Sequence, residues 1–230
     1  MPLTTVDRRL TTVKTSLDIR QDFCPALDAV WDSGAVSVKH DERRDQLAES
    51  ALRTLGERGY ARTSLRDIAQ NSEFSHGVVH YYFQDKTALV VHAVRYYKAR
   101  CVTRYDGVVA QSGSPEELLD AFAAKLVETV TDEAPMHCLW YDLRTQSMFE
   151  HELREAVTHI DSTLQEMIWR VVVRYAELAE RPVALTPAAA YGVLDGLFQQ
   201  ALLAHVGGDS EALPHLVEQV HALMPLTLQP

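Results

Sequence analysis

Hydrogen-bonding side chains are concentrated between residues 75 and 82 of this 230-residue chain. Ser75, His76 and Tyr81 carry donors and acceptors, and Gly77 among them permits a close approach of the backbone. Such groups on a short, exposed helix with little charge suit hydrogen bonding to base edges in the major groove of DNA. We therefore expect these four residues and Val78 to approach bases.

Groups that suit phosphate binding flank this segment. A hydroxyl and an ammonium follow at Tyr82 and Lys86, where the next helix is predicted to begin and to offer free backbone N–H groups. Thr63 and Ser64 precede an earlier predicted helix and are expected to bind phosphates too. The alternative for Tyr81 and Tyr82 is that they are core aromatics.

Apolar spacing predicts the elements that position these groups. The pattern becomes helical at Asp41 and predicts an amphipathic helix over 41–58, ended by glycines. Thr63, Ser75 and Asp85 are the expected N-caps of three further helices. Between them, the apolar residues Ile68, Ala69, Phe74 and Val79 form the skeleton of a helix-turn-helix. The alternative is a right-angled helix pair with a purely structural role.

Charge divides the chain in a way that fits this interpretation. The whole chain carries a net charge of −10, yet residues 39–105 carry +4 and residues 106–230 carry −13. A basic segment beside an acidic one suggests one module that meets polyanions and one that does not.

The remaining sequence predicts helix after helix, so we expect an all-α fold of about nine helices. Helix starts at Ser114-Pro115 and Thr186-Pro187 and a new segment at Pro135 support this. The predicted domains are a flexible extension over 1–38, a three-helix DNA-binding domain over 39–86, and a larger helical bundle over 87–230. A DNA-contacting arm within 1–38 stays open as an alternative.

Residues 63–86 resemble the TetR family of transcriptional regulators. The resemblance is carried by Thr63, Ile68-Ala69, Phe74-Ser75, Gly77, Tyr81-Tyr82-Phe83, Lys86 and Leu89. It implies a homodimeric, ligand-responsive regulator, most simply a repressor released from a palindromic operator by a small molecule. Helices 136–150 and 152–180 also bear a weak resemblance to the branch that includes the betaine-responsive repressors.

Two positions depart from the family pattern. Glu73 stands where the family usually has a turn glycine, so we expect strain or a different turn there, because a side chain at positive φ costs on the order of 1 kcal/mol. His80 stands where the family usually has tyrosine, which puts the detailed base contacts in question.

The resemblance also implies an effector pocket and a dimer interface in the acidic part. The pocket candidates are His137, Trp140, Tyr141, Arg144, Trp169 and Phe198, with Arg144 able to pair with an anionic effector. Small residues on one helix and an apolar stripe on the last predict a four-helix interface between two subunits. Its candidates are Ala189, Gly192, Gly196, Leu213, Leu216, Val217 and Val220. For each of these residues, packing inside one subunit is the alternative.

Other chemistries find little support in the sequence. Three widely spaced cysteines (Cys24, Cys101 and Cys138) argue against a disulfide framework, and the histidines lack metal-ligand spacing. No nucleophile–base or nucleotide-binding motif occurs, and no apolar run is long enough for a membrane span or a signal peptide. We therefore expect a cytoplasmic protein with no metal, no cofactor and no catalysis. The alternatives are a regulator controlled by a protein partner and, less favoured, a helical small-molecule enzyme.

Overall fold

The computed structural model describes the backbone of residues 28–230 and the side chains of residues 40–230. Over this part of the chain it consists of α-helices, so the predicted all-α class is confirmed. The nine helices are α1 (Asp28–Arg58), α2 (Leu65–Gln70), α3 (His76–Tyr82), α4 (Lys86–Cys101), α5 (Asp106–Gln111), α6 (Pro115–Gln146), α7 (His151–Leu178), α8 (Pro187–Val206) and α9 (Ala212–Leu223). A short 3-10 turn, Met224–Thr227, follows α9.

Helix α1 begins at Asp28 and not at Asp41, which corrects the predicted start. The intervening sequence holds Ser33 and Gly34 but no proline, and only proline removes a backbone donor from the helical ladder. Part of the predicted flexible extension is therefore helical, while residues 1–27 lie outside the described residues. The chain divides into two units after Asp41, and helices α2 to α9 belong to the second unit, Glu42–Pro230.

The predicted helix-turn-helix is confirmed in its core. Ile68 and Val79 are completely buried, and Phe74 between the two helices is 8% exposed. The turn is closed by Ser72, whose hydroxyl donates to the Ala69 carbonyl at 3.0 Å and accepts from Phe74 N–H at 3.1 Å. Local hydrogen bonds and three apolar contacts thus fix the angle between α2 and α3.

The caps agree with the sequence in two cases out of three. Ser75 and Asp85 accept from Val78 N–H at 3.3 Å and from Ala88 N–H at 2.8 Å, as predicted. Thr63 is the predicted N-cap of α2, but Ser64 caps the helix instead, in a capping box with Asp67.

The turn at Glu73 is unstrained, so of the two expected outcomes, strain or a different turn, the structure shows the second. Among the described residues only Glu180 combines a side chain with positive φ. The turn therefore takes a different path from one that requires glycine, and Glu73 stands exposed on it without a backbone cost.

The C-terminal helices form a bundle around a continuous apolar core. Helix α6 joins the two segments that the sequence separates at Pro135, with a kink at Glu133 (φ −128°, ψ 20°). Proline has no backbone N–H to donate to the carbonyl four residues earlier, and this missing bond explains the kink just before Pro135. Helix α5 was not predicted, because its first residues, Asp106-Gly107, are typical of a turn.

Candidate nucleic-acid interface and ligand cavity

Helix α3 is fastened by its apolar side and leaves its polar side free. Val79 is completely buried, and Phe83 just after the helix is 2% exposed. Ser75, His76 and Gly77 are exposed, and Val78 is half-buried. The structure therefore leaves these four predicted base-contacting residues at least partly accessible.

The two tyrosines of α3 differ in burial. Tyr81 is 76% exposed, which excludes the core alternative for this residue. Tyr82 is half-buried against the core, and its ring meets the edge of Tyr81 at 5.0 Å. His80 is exposed and contacts the ring of His76 at 4.5 Å, so an imidazole pair stands where the sequence departs from the family pattern.

Lys86 is held at the first turn of α4 by Tyr60. Its ammonium donates to the Tyr60 carbonyl at 3.0 Å and lies 3.8 Å from the ring centroid. One of the three N–H groups is thereby engaged, which leaves two for a phosphate. The lysine is half-buried and is therefore better ordered than a free surface lysine.

Tyr60 also connects this lysine to the C-terminal helices. Its N–H donates to Asp142 Oδ2 of α6 at 2.8 Å, and its hydroxyl donates to Glu150 Oε2, just before α7, at 2.9 Å. Burial, together with the neighbouring Glu150, raises the pKa of Tyr60, so the phenol keeps its proton for this bond. The joint of Lys86, Tyr60, Asp142 and Glu150 links the helix-turn-helix part of the chain to the bundle.

The two predicted phosphate ligands before α2 have different surroundings. Thr63 is 3% exposed, and its hydroxyl donates to the Gly59 carbonyl at 2.8 Å, so it is not available on the surface. Ser64 is exposed, but its hydroxyl lies 2.5 Å from Asp67 Oδ2. Hydrogen bonds from Ser64 lower the pKa of Asp67, with a smaller contribution from Arg58.

Two arginines that the sequence reasoning missed stand on either side of Ser64. Arg62 and Arg66 are exposed, and neither forms an ion pair with a residue described in the structure. Guanidinium groups bind phosphate through several donors at once. Their position beside the predicted ligands in the sequence was the signal that could have identified them.

A cavity of about 60 Å³ lies among α4, α6, α7 and α8. Four of the predicted pocket residues line it: His137, Trp140, Tyr141 and Phe198. Most of its remaining wall is apolar. The cavity also contains charged groups that were not predicted, namely Lys98, Arg104 and Asp195.

The other two predicted pocket residues lie outside the cavity lining. Arg144 donates to Asp161 Oδ2 at 3.1 Å and to Asp195 Oδ2 at 2.5 Å, so two carboxylates hold its guanidinium. Trp169 packs half-buried against the core one position after the lining residue Ile168, and consecutive helical residues point about 100° apart. Arg144 thus orders the wall behind the cavity.

A polar network closes one end of the cavity. Arg104 donates to Glu133 at 2.6 Å, and Tyr97 also donates its hydroxyl proton to Glu133. Burial alone would raise the pKa of Glu133, but the hydrogen bonds from Arg104 and Tyr97 lower it. Because the Tyr97 proton is used, the 3.3 Å contact between Tyr97 and His137 requires His137 Nε2–H as donor.

Two buried bases border this network. Burial, with the charges of Lys98 and Arg104, lowers the pKa of His137 well below its ordinary value, so the imidazole is neutral. Burial lowers the pKa of Lys98 to about 8. The Lys98 ammonium lies 5.4 Å and 5.2 Å from the ring centroids of Tyr97 and Trp140.

The outward face of α8 is apolar and nearly flat. Ala189, Gly192 and Val193 are exposed, and a Cβ atom on Gly192 or Gly196 would meet nothing within 4 Å. Leu203, on the same face, is 64% exposed. This surface agrees with the small-residue part of the predicted dimer interface.

The apolar stripe of α9 faces the subunit's own core to a larger extent than predicted. Leu216 is 3% exposed and Val220 is completely buried, so both residues pack within the subunit. Leu213 and Val217 are half-buried and retain some free surface. The apolar stripe is present, but its residues Leu216 and Val220 pack against the bundle of the same subunit.

Metal chemistry and membrane insertion find no support in the part of the chain that the structure describes. No group of three or more His, Cys, Asp or Glu side chains there could hold a metal ion. Over residues 28–230, every helix is too short or too polar to cross a bilayer. Cys101 is buried and Cys138 half-buried, and both are free thiols, whereas Cys24 lies outside the described residues.

Comparison with known proteins identifies the architecture. The family model described as "Bacterial regulatory proteins, tetR family" matches residues 47–93. The HTH-type transcriptional regulator BetI of Burkholderia mallei (strain NCTC 10229) is 30% identical over 175 residues, covering 74% of this chain and 87% of that protein. The chain belongs to the TetR family.

Solved structures of regulators share its fold. One from Saccharomonospora viridis, in complex with choline, superposes with a TM-score of 0.67 at 16% identity, covering 82% of this chain and 98% of the other. FadR from Bacillus subtilis, in complex with stearoyl-CoA, gives 0.63 at 17% identity, covering 78% and 96%. This TetR-family protein is a DNA-binding, ligand-responsive transcriptional regulator, and the enzyme alternative is not supported.

Proposed function

We propose that the chain is a homodimeric repressor that a small molecule releases from a two-fold symmetric operator. The observation that carries the proposal is the exposed polar side of α3, fastened by Val79 and Phe83 and flanked by Lys86. In this proposal residues 39–86 bind DNA, residues 87–230 bind the effector and the second subunit, and the protein acts in the cytoplasm.

The DNA-binding surface is assigned residue by residue. Ser75, His76, Gly77, Val78 and Tyr81 approach base edges, while Tyr82, Lys86 and Ser64 bind phosphates. Arg62 and Arg66 join the phosphate group because they are exposed beside Ser64. Thr63 is not assigned to phosphate binding, because its buried hydroxyl donates to the Gly59 carbonyl and supports the turn before α2.

Two copies of α8 are proposed to meet across their small, apolar faces. Glycines and alanine allow two helices to approach closely, and exposed Val193 and Leu203 add area to bury. A second subunit places two copies of α3 in successive major grooves, about 34–36 Å apart or further. An operator of two-fold symmetry follows from this arrangement.

Release is proposed to pass through the joint at Tyr60. Helix α6 carries the cavity residues His137, Trp140 and Tyr141, and the next residue, Asp142, holds the Tyr60 N–H. A ligand that shifts this part of α6 therefore acts on Tyr60 and on the lysine that it holds. The shift is limited by the ligand's differential affinity for the two conformations, typically about 1–3 kcal/mol.

Regulation by a protein partner was the alternative to regulation by a small molecule. The cavity among four helices, with buried polar groups in its wall, favours the small molecule. A solid core would have favoured the partner.

The DNA-binding assignment is tested with a duplex that the protein itself selects from a random-sequence pool. We expect a two-fold symmetric sequence, bound more weakly as salt rises. Lys86→Ala and Arg66→Ala should each lower the slope of log affinity against log salt by about one for each lost phosphate contact. Lys125→Ala is the matched control, because Lys125 lies on α6 and pairs with Glu128. Selection of no sequence, or slopes equal to the control, would contradict the proposal.

A further inference from the structure

The cavity contains one charge that no partner neutralises directly. Of its three charged lining residues, Arg104 pairs with Glu133 at 2.6 Å and Asp195 pairs with Arg144 at 2.5 Å. Lys98 is 3% exposed and forms no hydrogen bond or ion pair with any residue that the structure describes. Its neighbours are the faces of two aromatic rings, which attract the charge but accept no conventional hydrogen bond.

A second donor beside it also lacks an acceptor. Trp140 lines the same cavity and is 2% exposed, and its buried indole Nε1 has no hydrogen-bond partner among the described residues. A buried donor without a partner costs about 1–3 kcal/mol, and a charged one costs more. Two such donors in one cavity wall are readily explained if a ligand supplies the acceptors.

The cavity's only negatively charged lining residue already has a cationic partner and a second donor. Asp195 accepts from Arg144 Nη1 and, at 3.0 Å, from the Tyr141 hydroxyl. A cationic ligand would therefore compete with Arg144 for that carboxylate and would lie near the Lys98 ammonium. An anionic ligand would instead meet the Lys98 ammonium and the Trp140 N–H, neither of which has an acceptor among the described residues.

We propose that the effector is a small organic acid whose carboxylate binds Lys98 Nζ and Trp140 Nε1 and whose short apolar body fills the rest of the cavity. The apolar body follows from the wall, which includes Phe122, Leu164, Met167 and Phe198. This inference deepens the proposed function and rests on it. It differs from what is bound in the Saccharomonospora viridis structure, where the ligand is the cation choline.

The test is isothermal titration of the full-length protein with hexanoate, hexanamide and choline. Hexanoate and hexanamide have nearly the same shape, so their difference isolates the charge. We expect hexanoate to bind at least about ten-fold more tightly than hexanamide, since a hydrogen bond to a charged group contributes about 1.5–3 kcal/mol. Choline should not bind measurably.

Two variants tie the preference to the assigned donors. Lys98→Met keeps the length of the side chain and should abolish the preference for hexanoate over hexanamide. Trp140→Phe keeps the aromatic wall, removes only the N–H, and should weaken hexanoate several-fold. Lys125→Met, on the outer surface of α6, should change neither value.

Three results would overturn the inference: choline binding more tightly than hexanoate, an unchanged preference in Lys98→Met, or no binding of hexanoate. None of them concerns DNA. Operator affinity is measured without any ligand, so failure of the acid assignment and failure of the repressor assignment are distinguishable. Choline that binds and releases the operator would refute the former and support the latter.

Discussion

Helix α3 and the cavity of the bundle use polar side chains in opposite ways. On α3 most polar groups are exposed, and buried apolar residues fasten the helix to the core. In the cavity wall the polar groups are buried and, apart from Lys98 and the Trp140 N–H, are paired with one another. Changes to the exposed polar side chains of α3 should therefore affect binding with little effect on stability. Changes to polar side chains in the cavity wall should affect both.

The physical reason for the contrast is the cost of desolvation. An exposed hydroxyl or imidazole exchanges water for a DNA base at little net cost, so the free protein tolerates its lack of a partner. A buried ammonium has no water to return to, and every change at Lys98 therefore alters folding as well as binding. The predictions below test this contrast, beginning with the residue on which α3 depends.

Phe83→Ala should have the largest effect on stability. Phe83 is 2% exposed and fastens the end of α3 beside the Arg44 guanidinium, which lies 5.1 Å from its ring. Removing a buried phenylalanine typically costs about 3–5 kcal/mol, and we expect DNA binding to be lost with it. Urea denaturation measures the change. His80→Ala, at an exposed position of the same helix, should stay within about 0.5 kcal/mol of the parent.

Lys98→Met should stabilise the protein at neutral pH. The pKa of Lys98 falls to about 8 on burial, from an ordinary 10.5. Below pH 8 the folded protein therefore carries a buried charge whose cost is on the order of 3 kcal/mol, which methionine removes. Between pH 8 and 10.5 the unfolded chain binds more protons than the folded one, so the parent gains stability and the advantage of the variant shrinks.

Denaturation of both proteins from pH 6.5 to 10.5 measures this difference. The groups that face Lys98, including Tyr97, Cys101, Arg104, Glu133 and Asp195, are common to both proteins and largely cancel. A difference that is the same at every pH would show that folding leaves the pKa of Lys98 unchanged, and would weaken the contrast between the two regions.

Lys98 also shows where sequence reasoning ends. In the sequence it is a lysine between Tyr97 and Ala99 on a helix, which is typical of a solvated side chain. Its burial involves residues far away in the sequence, among them Trp140 of α6, whose ring faces the ammonium. The same holds for Arg144, whose carboxylate partners are 17 and 51 residues distant. Pairing over such separations leaves no periodic signal.

The helix-turn-helix was predictable because its determinants are local. Ser75 and Asp85 cap helices within three residues of themselves. Leu65 with Ile68, and Val79 with Phe83, repeat at helical spacing. The prediction for Thr63 failed at the same local scale, because neighbouring side chains compete for one cap. The two alternatives at Glu73 could not be separated from the sequence, because a turn has more than one unstrained path. In α9 the sequence shows the apolar stripe, but it does not show whether the stripe packs inside the subunit or against a second one.

Tyr81→Ala should affect binding and leave folding unchanged. The side chain is 76% exposed and contacts mainly Tyr82, so we expect a stability change within about 0.5 kcal/mol. If Tyr81 reaches a base, operator affinity should fall roughly ten-fold, the equivalent of about 1.4 kcal/mol. Fluorescence anisotropy measures it, with Gln84→Ala as an exposed neighbour. Equal affinities for the two variants would remove Tyr81 from the base-contacting set.

Ser75 combines a structural role and a proposed DNA-binding role at the start of α3. Its hydroxyl caps α3 at 3.3 Å from Val78 N–H, and the same residue is proposed to approach DNA. Ser75→Ala removes both functions and should cost about 1 kcal/mol of stability. Ser75→Asp keeps the cap, since aspartate caps as well as serine does, but brings a negative charge towards the phosphates.

The pair of variants therefore separates capping from binding. We expect Ser75→Asp to unfold at the same urea concentration as the parent, yet to bind the operator more weakly than Ser75→Ala does. If Ser75→Asp instead binds like the parent, the N-terminus of α3 does not face DNA. Only the later residues of α3 would then contact DNA, because repulsion between the added carboxylate and the phosphates becomes negligible with distance.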